Sequence, residues 1–365
     1  MHKLDDLEYI KSLDKSDMHH KILHAPEQIY QAYYETKLHK PKSFTLACKK
    51  IKHIVVCGVG GSAVAGDILQ SYFNIDLPIT VLRDYRLTYV DSGTLCIFVS
   101  YSGNTEETLS CLEMAEKSLD KPCITAVTSG GKLRDMIDDK HLWVELPSGY
   151  PPRAALAYIF FSLLKILELF TIVEDHKDSV DEVVALLMQK AAALSMKTDT
   201  EQNLAKSSAL QIYSKIPIIY SSNPDLNGVA YRWKCQINEN AKQPAFYHTF
   251  PEMNHNEIEG WESYDLSKDF IPIFLRRFDD EERYNKRIEI FQKLLQDHDI
   301  KYLEFFGDGT KRKDGDIEFY YLPAIICSLV YLGDMVSYYL AILNNVDPTE
   351  IKYIDYMKKQ LTVDS

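Results

Sequence analysis

Two loops in this chain concentrate groups that hold anions. Gly58-Val59-Gly60-Gly61-Ser62 follows an apolar run at 51–57 and precedes a helical pattern that continues to Phe73. A strand ending in a glycine loop that opens a helix gathers free backbone N–H groups at one point, and such a point binds phosphate. Ser100, Ser102 and Thr105 place three hydroxyls around Gly103, again directly after an apolar run, 94–99, and before a helix that reaches about Lys117. One loop of this kind suits a pyrophosphate, and Gly58-x-Gly60-x-x-Ala63 also satisfies the dinucleotide fingerprint, with Asp84 about twenty residues on. Two hydroxyl-bearing loops suit a single phosphate held from several sides, with Gly61, Ser62, Ser100, Ser102 and Thr105 as the grip. Ser and Thr are also ordinary caps and turn formers, so plain turns stand as a third reading.

The elements that must position these loops alternate. Strand-like runs at 51–57, 79–83, 94–99, 123–127 and 142–146 are separated by helical patterns, which argues for a parallel sheet covered on both faces. A long apolar helix at 154–173 and an amphipathic one at 181–196 follow. A second alternation then begins, with strands at 216–221, 245–250, 271–276 and 302–306, helices at 226–242 and 280–296, and a helical end. The expected organisation is a helical N-terminal extension (1–50), a first α/β unit (51–153), a helical connector (154–210) and a second α/β unit with C-terminal helices (211–365). The charge cluster at 311–314 reads as a solvated loop.

Composition narrows the function. The 365 residues are enough for two domains, and 41 basic against 53 acidic side chains give a net charge of −12. A general grip on nucleic-acid backbones is therefore disfavoured, and any anionic ligand must be held locally. The seven cysteines are odd in number and unclustered, which predicts reduced residues and a cytoplasmic location. No secretory h-region is evident near the start. The apolar stretches at 154–173 and 323–343 are interrupted by Lys165 and Glu168 in the first and by Gly333-Asp334 in the second, so both are expected to be buried helices rather than membrane spans.

The segment from Gly58 to Asp67 and the run Ser100-Tyr-Ser-Gly-Asn-Thr-Glu-Glu-Thr108 resemble the sugar isomerase (SIS) domain. More narrowly, Pro151-Pro-Arg-Ala-Ala155, Asn238-Glu-Asn-Ala-Lys242 and Glu252-Met-Asn-His-Asn-Glu257 resemble the bifunctional phosphoglucose/phosphomannose isomerase family. The resemblance runs from about residue 50 to the C-terminus. It implies an α/β fold of two SIS domains, each a parallel sheet flanked by helices, and a reaction that interconverts fructose 6-phosphate with glucose 6-phosphate and mannose 6-phosphate through a cis-enediol.

Such a reaction needs a base that carries a proton between adjacent carbons. Glu239 matches that position, near the last turn of its helix, where the dipole disfavours a carboxylate by roughly 0.3–1 kcal/mol. His255 matches the ring-opening residue, which in related isomerases comes from the neighbouring subunit and so implies a homodimer with shared sites. Arg153 is the candidate for steadying the enediolate. Lys358, with Lys359 beside it, matches the lysine of the family's closing helix. Glu350 stands where the family commonly has proline, which bears on the glucose/mannose balance.

No cofactor is expected. His19, His20 and His24 lack a completing ligand set, and no H-E-x-x-H pattern accompanies His248, His255 and Glu257. The alternative reading is a phosphosugar sensor that binds through the same loops without turnover. A glutamine-dependent aminosugar synthase would need an N-terminal nucleophilic cysteine, and the first cysteine here is Cys48.

Overall fold

The computed structural model describes residues 3–42, 50–72, 75, 77–262, 264–314 and 317–363. Its first sheet contains β1 (Lys37–His39), β2 (His53–Cys57), β3 (Ile79–Leu82), β4 (Thr94–Ser100), β5 (Cys123–Thr128) and β6 (Leu142–Glu145), in the order β1-β6-β5-β4-β2-β3. All neighbours are parallel except β1, which runs antiparallel along β6. The second sheet has β7 (Ile216–Ser221), β8 (Phe246–Thr249), β9 (Phe270–Arg276) and β10 (Leu303–Phe306), all parallel, in the order β10-β9-β7-β8.

Helices α1 (Leu7–Leu13), α2 (Met18–Leu23) and α3 (Ala25–Tyr34) form the N-terminal part, and α4 (Gly61–Tyr72), α5 (Glu106–Lys117) and α6 (Gly131–Ile137) cross over the first sheet. Next come α7 (Leu156–Leu169), α8 (Lys177–Leu194) and α9 (Leu204–Ile212). The second sheet is accompanied by α10 (Asn227–Ala241), α11 (Tyr264–Ser267) and α12 (Glu282–Asp297), and the chain ends in α13 (Leu322–Leu343) and α14 (Lys352–Val363).

The strands are apolar on both faces because both faces are covered. Ile54 and Val56 of β2, with Leu95, Ile97 and Val99 of β4, point into a central core, whereas Val55, Cys57, Cys96 and Phe98 point outward to a second core under α5 and α6. The second sheet repeats the arrangement: Ile219, Ile273 and Leu275 enter the central core, and Tyr220 and Phe274 join Phe291 of α12 on the other side. The central core is thus shared, with α4, α7, α10 and α13 packed between two sheets.

Three expectations need correction. Residues 37–39 form a strand rather than continuing the helical start. The cluster at 311–314 is a strand, β11 (Lys311–Asp314), in a hairpin with β12 (Ile317–Tyr320). Arg312 lies 3.5 Å from the Tyr321 ring centroid and pairs with Glu182, so apolar stacking and charge draw it out of solvent. Cys57, Cys96, Cys111, Cys235 and Cys327 are free, as a reduced set requires, but Cys123 is disulfide-bonded. Cys48 and Phe73 lie outside the described residues.

Lys165 and Glu168 pair at 2.6 Å on α7, the neutralisation that their spacing suggested. Among the described residues, α13 is the one helix long and apolar enough to cross a membrane, and 83% of its most apolar window is buried inside the protein. A core helix passes that test because it is surrounded by apolar side chains.

Candidate active site

Strand order reverses direction between β2 and β4: α4 leads from β2 to β3 on one side, and α5 leads from β4 to β5 on the other. Ligands of open parallel sheets bind in the crevice at such a point, beyond the carboxyl ends of the strands. Register pairs Cys57 with Phe98, so the loop at 58–62 and the loop at 100–105 emerge side by side. Gly60 is left-handed (φ 58°) and its carbonyl accepts from the Ala63 and Val64 N–H groups. The N–H groups of Gly61 and Ser62 lie in the first turn of α4, where a helix supplies no acceptor of its own.

The second loop is held from below. Ser100 Oγ and Thr105 Oγ1 are 2.8 Å apart, Ser102 is exposed, and Asn104 ties the loop to the first turn of α6 by accepting from the Lys132 N–H at 3.2 Å. Gly103 is left-handed (φ 68°), and a Cβ there would lie 1.7 Å from the Gly130 carbonyl oxygen, so only glycine allows this closure. The two loops that carry the five residues of the expected phosphate grip therefore lie side by side at the carboxyl ends of β2 and β4.

Arg153 borders that crevice. Gly61 sits with its Cα hydrogen toward the Pro152–Arg153 backbone, where a Cβ would come within 3.4 Å of the Pro152 oxygen. The Arg153 side chain is buried, 3% exposed, and its contacts are directional. Nε donates to Asn240 Oδ1 at 2.7 Å, and Nη2 donates to the carbonyls of Pro348 (2.6 Å) and Thr349 (2.8 Å). Nη1 has no hydrogen-bond acceptor among the described residues and lies 3.6 Å from Glu239 Oε2. Burial lowers the pKa of Arg153, and the Glu239 carboxylate opposes that shift. The cation persists because an arginine pKa starts far above working pH.

Glu239 lies in the last turn of α10 and is partly exposed on the crevice side. Lys242, left-handed at φ 55°, turns its ammonium back onto the helix end and donates to the carbonyls of Glu239 (2.9 Å), Asn240 (3.2 Å) and Asp347 (2.5 Å). Its stem is exposed, but desolvation of the ammonium, together with the nearby Arg153 charge, brings its pKa down to about 8. The C-terminal carbonyls of α10, unpaired in any helix, thus receive a cation.

His255 stands elsewhere. It ends a 3-10 turn, Glu252–His255, beyond the carboxyl end of β8. Glu239 is about 18 Å along α10 from that edge, at 1.5 Å per residue, because α10 runs back antiparallel to β8. Within one chain Glu239 and the His255 turn therefore lie toward opposite ends of the second sheet. The His255 loop is firmly seated: Tyr220 donates its hydroxyl to Glu257, and Trp261 Nε1 donates to the Tyr220 oxygen at 3.2 Å, while the His255 ring itself is exposed. Lys358 is exposed on α14. The C-terminal segment reaches the site through the Pro348 and Thr349 carbonyls.

Sequence reasoning did not assign roles to Asn240 and Lys242, although both sit in the quoted Asn238–Lys242 motif, one and three residues past the proposed base. The two carbonyls carry no side-chain signal at all. Among the described residues, no group of three or more His, Cys, Asp or Glu side chains stands together as a metal site. His19 is buried and accepts from the Met196 N–H at 3.1 Å, a structural role. Asp84 caps its own turn, its Oδ1 accepting from the N–H groups of Tyr85 and Arg86. A cavity of about 450 Å³ between α3, α7 and the end of β6 shares no residue with the Arg153–Glu239 cluster. Arg153, by contrast, stands between the loop at 58–62 and Glu239.

Comparison with known proteins agrees with this geometry. Residues 201–361 match the bacterial phospho-glucose isomerase C-terminal SIS domain. A bifunctional phosphoglucose/phosphomannose isomerase from Caldicellulosiruptor bescii is 38% identical over 352 residues, 94% of this chain and 98% of that protein. A D-glucosamine-6-phosphate 4-epimerase from Sulfolobus acidocaldarius is 35% identical across 67% of this chain and 74% of its own length. The fold is also that of tagatose-6-phosphate ketose/aldose isomerase from Escherichia coli, with a TM-score of 0.62 at 15% identity, covering 91% of this chain and 95% of that one. With two sheets sharing one helical core, a crevice at the switch point of the first and near-full-length similarity at this level, the chain belongs to the bifunctional phosphoglucose/phosphomannose isomerase family.

Proposed function

We propose that this protein interconverts fructose 6-phosphate with glucose 6-phosphate and mannose 6-phosphate. The observation that carries the reading is the Arg153–Glu239 pair, 3.6 Å apart beside two anion-binding loops. The phosphate docks on the Gly61 and Ser62 amides and the hydroxyls of Ser100, Ser102 and Thr105. Glu239 then removes a proton from C1 or C2 of the open-chain sugar and returns it to the neighbouring carbon. The developing enediolate oxygens accept from Arg153 Nη1, which is held in place by contacts on the other edge of the guanidinium. Ring opening needs a second proton carrier, and His255 suits it if a partner subunit supplies it, since its own Glu239 is too far along α10.

That distance supports a homodimer with shared sites, with Lys358 of the closing helix as a further site residue. The free cysteines among the described residues favour a cytoplasmic enzyme. The epimerase relative acts, by its name, on a hexosamine phosphate, yet the higher identity and coverage lie with the isomerases. The test is a coupled assay on each hexose phosphate with EDTA present. Wild type is expected to turn over, and Glu239→Gln is expected to lose about 100-fold or more in kcat, the range of a lost general base. Equal turnover by both would remove Glu239 from its role.

A further inference from the structure

The apolar helix α13 carries two polar side chains, Asp334 and Ser337, on the face it turns to α10. Burying them has a stability cost unless every donor and acceptor is used. The two helices approach closely because residue 333 is glycine: a Cβ there would lie 2.3 Å from Trp233 Nε1 on α10. That approach lets short side chains bridge the interface.

We propose that Ser337 and Asp334 are positioning residues that aim the Arg153 guanidinium at the reacting carbons, acting through Asn240 and Arg232. The proposal rests on the reading of Arg153 as the enediolate partner. Two arms converge on Arg153. In the first, the Ser337 hydroxyl donates to the Asp334 carbonyl at 2.7 Å, so its oxygen is left to accept, and it accepts from Asn240 Nδ2 at 2.9 Å. The direction of that one hydroxyl proton fixes the Asn240 amide: its NH₂ must face Ser337, and its oxygen must face Arg153 Nε, which donates to it at 2.7 Å. In the second arm, Asp334 accepts from Arg232 Nε (2.9 Å), Arg232 Nη2 (2.6 Å) and Gln236 Nε2 (2.9 Å), and the same Arg232 Nη2 donates to the Arg153 carbonyl at 2.9 Å. One arm holds the side chain of Arg153 and the other its backbone.

Together with the Pro348 and Thr349 carbonyls, these contacts occupy Nε and Nη2 and leave Nη1 alone for the substrate. Without the Ser337 hydroxyl the Asn240 NH₂ loses its acceptor, and the amide is free to shift from the position in which its oxygen receives the Arg153 Nε–H. The guanidinium would then lose an acceptor and its aim.

A double-mutant cycle with fructose 6-phosphate tests this, using Ser337→Ala, Ser337→Thr, Arg153→Lys and the Ser337→Ala/Arg153→Lys pair. Ser337→Ala is expected to lower kcat about tenfold, the equivalent of one lost hydrogen bond, with KM within about twofold. Ser337→Thr keeps the hydroxyl and is expected to restore most of the rate. Because lysine has no Nε–H to aim, adding Ser337→Ala to Arg153→Lys should cost nothing further in kcat. An equal loss of kcat in both backgrounds would overturn the proposal and leave Ser337 a packing residue. A wild-type kcat for Arg153→Lys alone would instead overturn the reading of Arg153, and this proposal with it. Asp334→Asn adds the second arm where it folds, but the outcome is decided by the Ser337 variants.

Discussion

Residue-scale chemistry at this site depends on which polar atoms are left unused. Arg153 commits Nε and Nη2 to fixed acceptors, and the loop hydroxyls of Ser100 and Thr105 bond to each other, whereas Ser102 stands exposed at the loop tip. Ser102→Ala should therefore act on binding more than on chemistry. Removing one hydrogen bond to a doubly charged phosphate is worth about 1.5–3 kcal/mol, or roughly 10- to 100-fold in KM, with kcat nearly unchanged. Steady-state kinetics on fructose 6-phosphate measures the split, and a fall confined to kcat would contradict the phosphate role. The loop residues were legible from the sequence because glycine and hydroxyl residues between a strand and a helix carry their geometry locally. The Asn240 and Lys242 contacts were not, because they depend on where α13 and the 347–349 segment come to rest, 97 and 105 residues away.

At the scale of elements, alternating apolar runs identified every strand of both sheets except β1, a three-residue edge strand whose pairing with β6 no local pattern announces. The connector helices were legible as buried because Lys165 and Glu168 could neutralise each other three residues apart. Burial also leaves a pH signature in the N-terminal helices. His19 lies on α2, 3% exposed, and burial lowers its pKa to about 4, with Lys206, His20 and His24 adding to the effect and Asp17 opposing it. An unfolded histidine titrates near 6.5. Between those values the unfolded chain binds a proton that the fold refuses, so stability is fully present above about 6.5 and falls as pH drops toward about 4. Urea unfolding of wild type and His19→Gln at pH 7 and pH 4.5 checks this. The gap between the two proteins should narrow at acid pH, and a constant gap would show that His19 does not titrate in this way.

For the whole molecule, the decisive feature is that sheet 1, the end of α10 and the 347–349 segment meet at one crevice, while His255 is carried toward the opposite end of the second sheet. If the working site is shared between subunits, two inactive variants should complement each other. Glu239→Gln and His255→Asn, unfolded together and reassembled, would form half mixed dimers with one intact site in each, restoring about a quarter of wild-type activity. Mixing without any recovery would place the whole site in one chain and require His255 to reach Glu239 by another route. The two-sheet architecture could be read from the spacing of elements. The separation of Glu239 from His255 could not, since only sixteen residues divide them in sequence and the antiparallel run of helix against strand sets them apart.

The central claim is that one carboxylate moves a proton between adjacent carbons of a phosphorylated hexose. Proton NMR of fructose 6-phosphate incubated in heavy water with wild type or Glu239→Gln tests it most directly. Wild type should exchange solvent deuterium into C1 of the ketose and C2 of the product aldoses, and Glu239→Gln should bind the sugar phosphate yet leave both positions protonated. Deuterium entering at the wild-type rate in the variant would contradict the account.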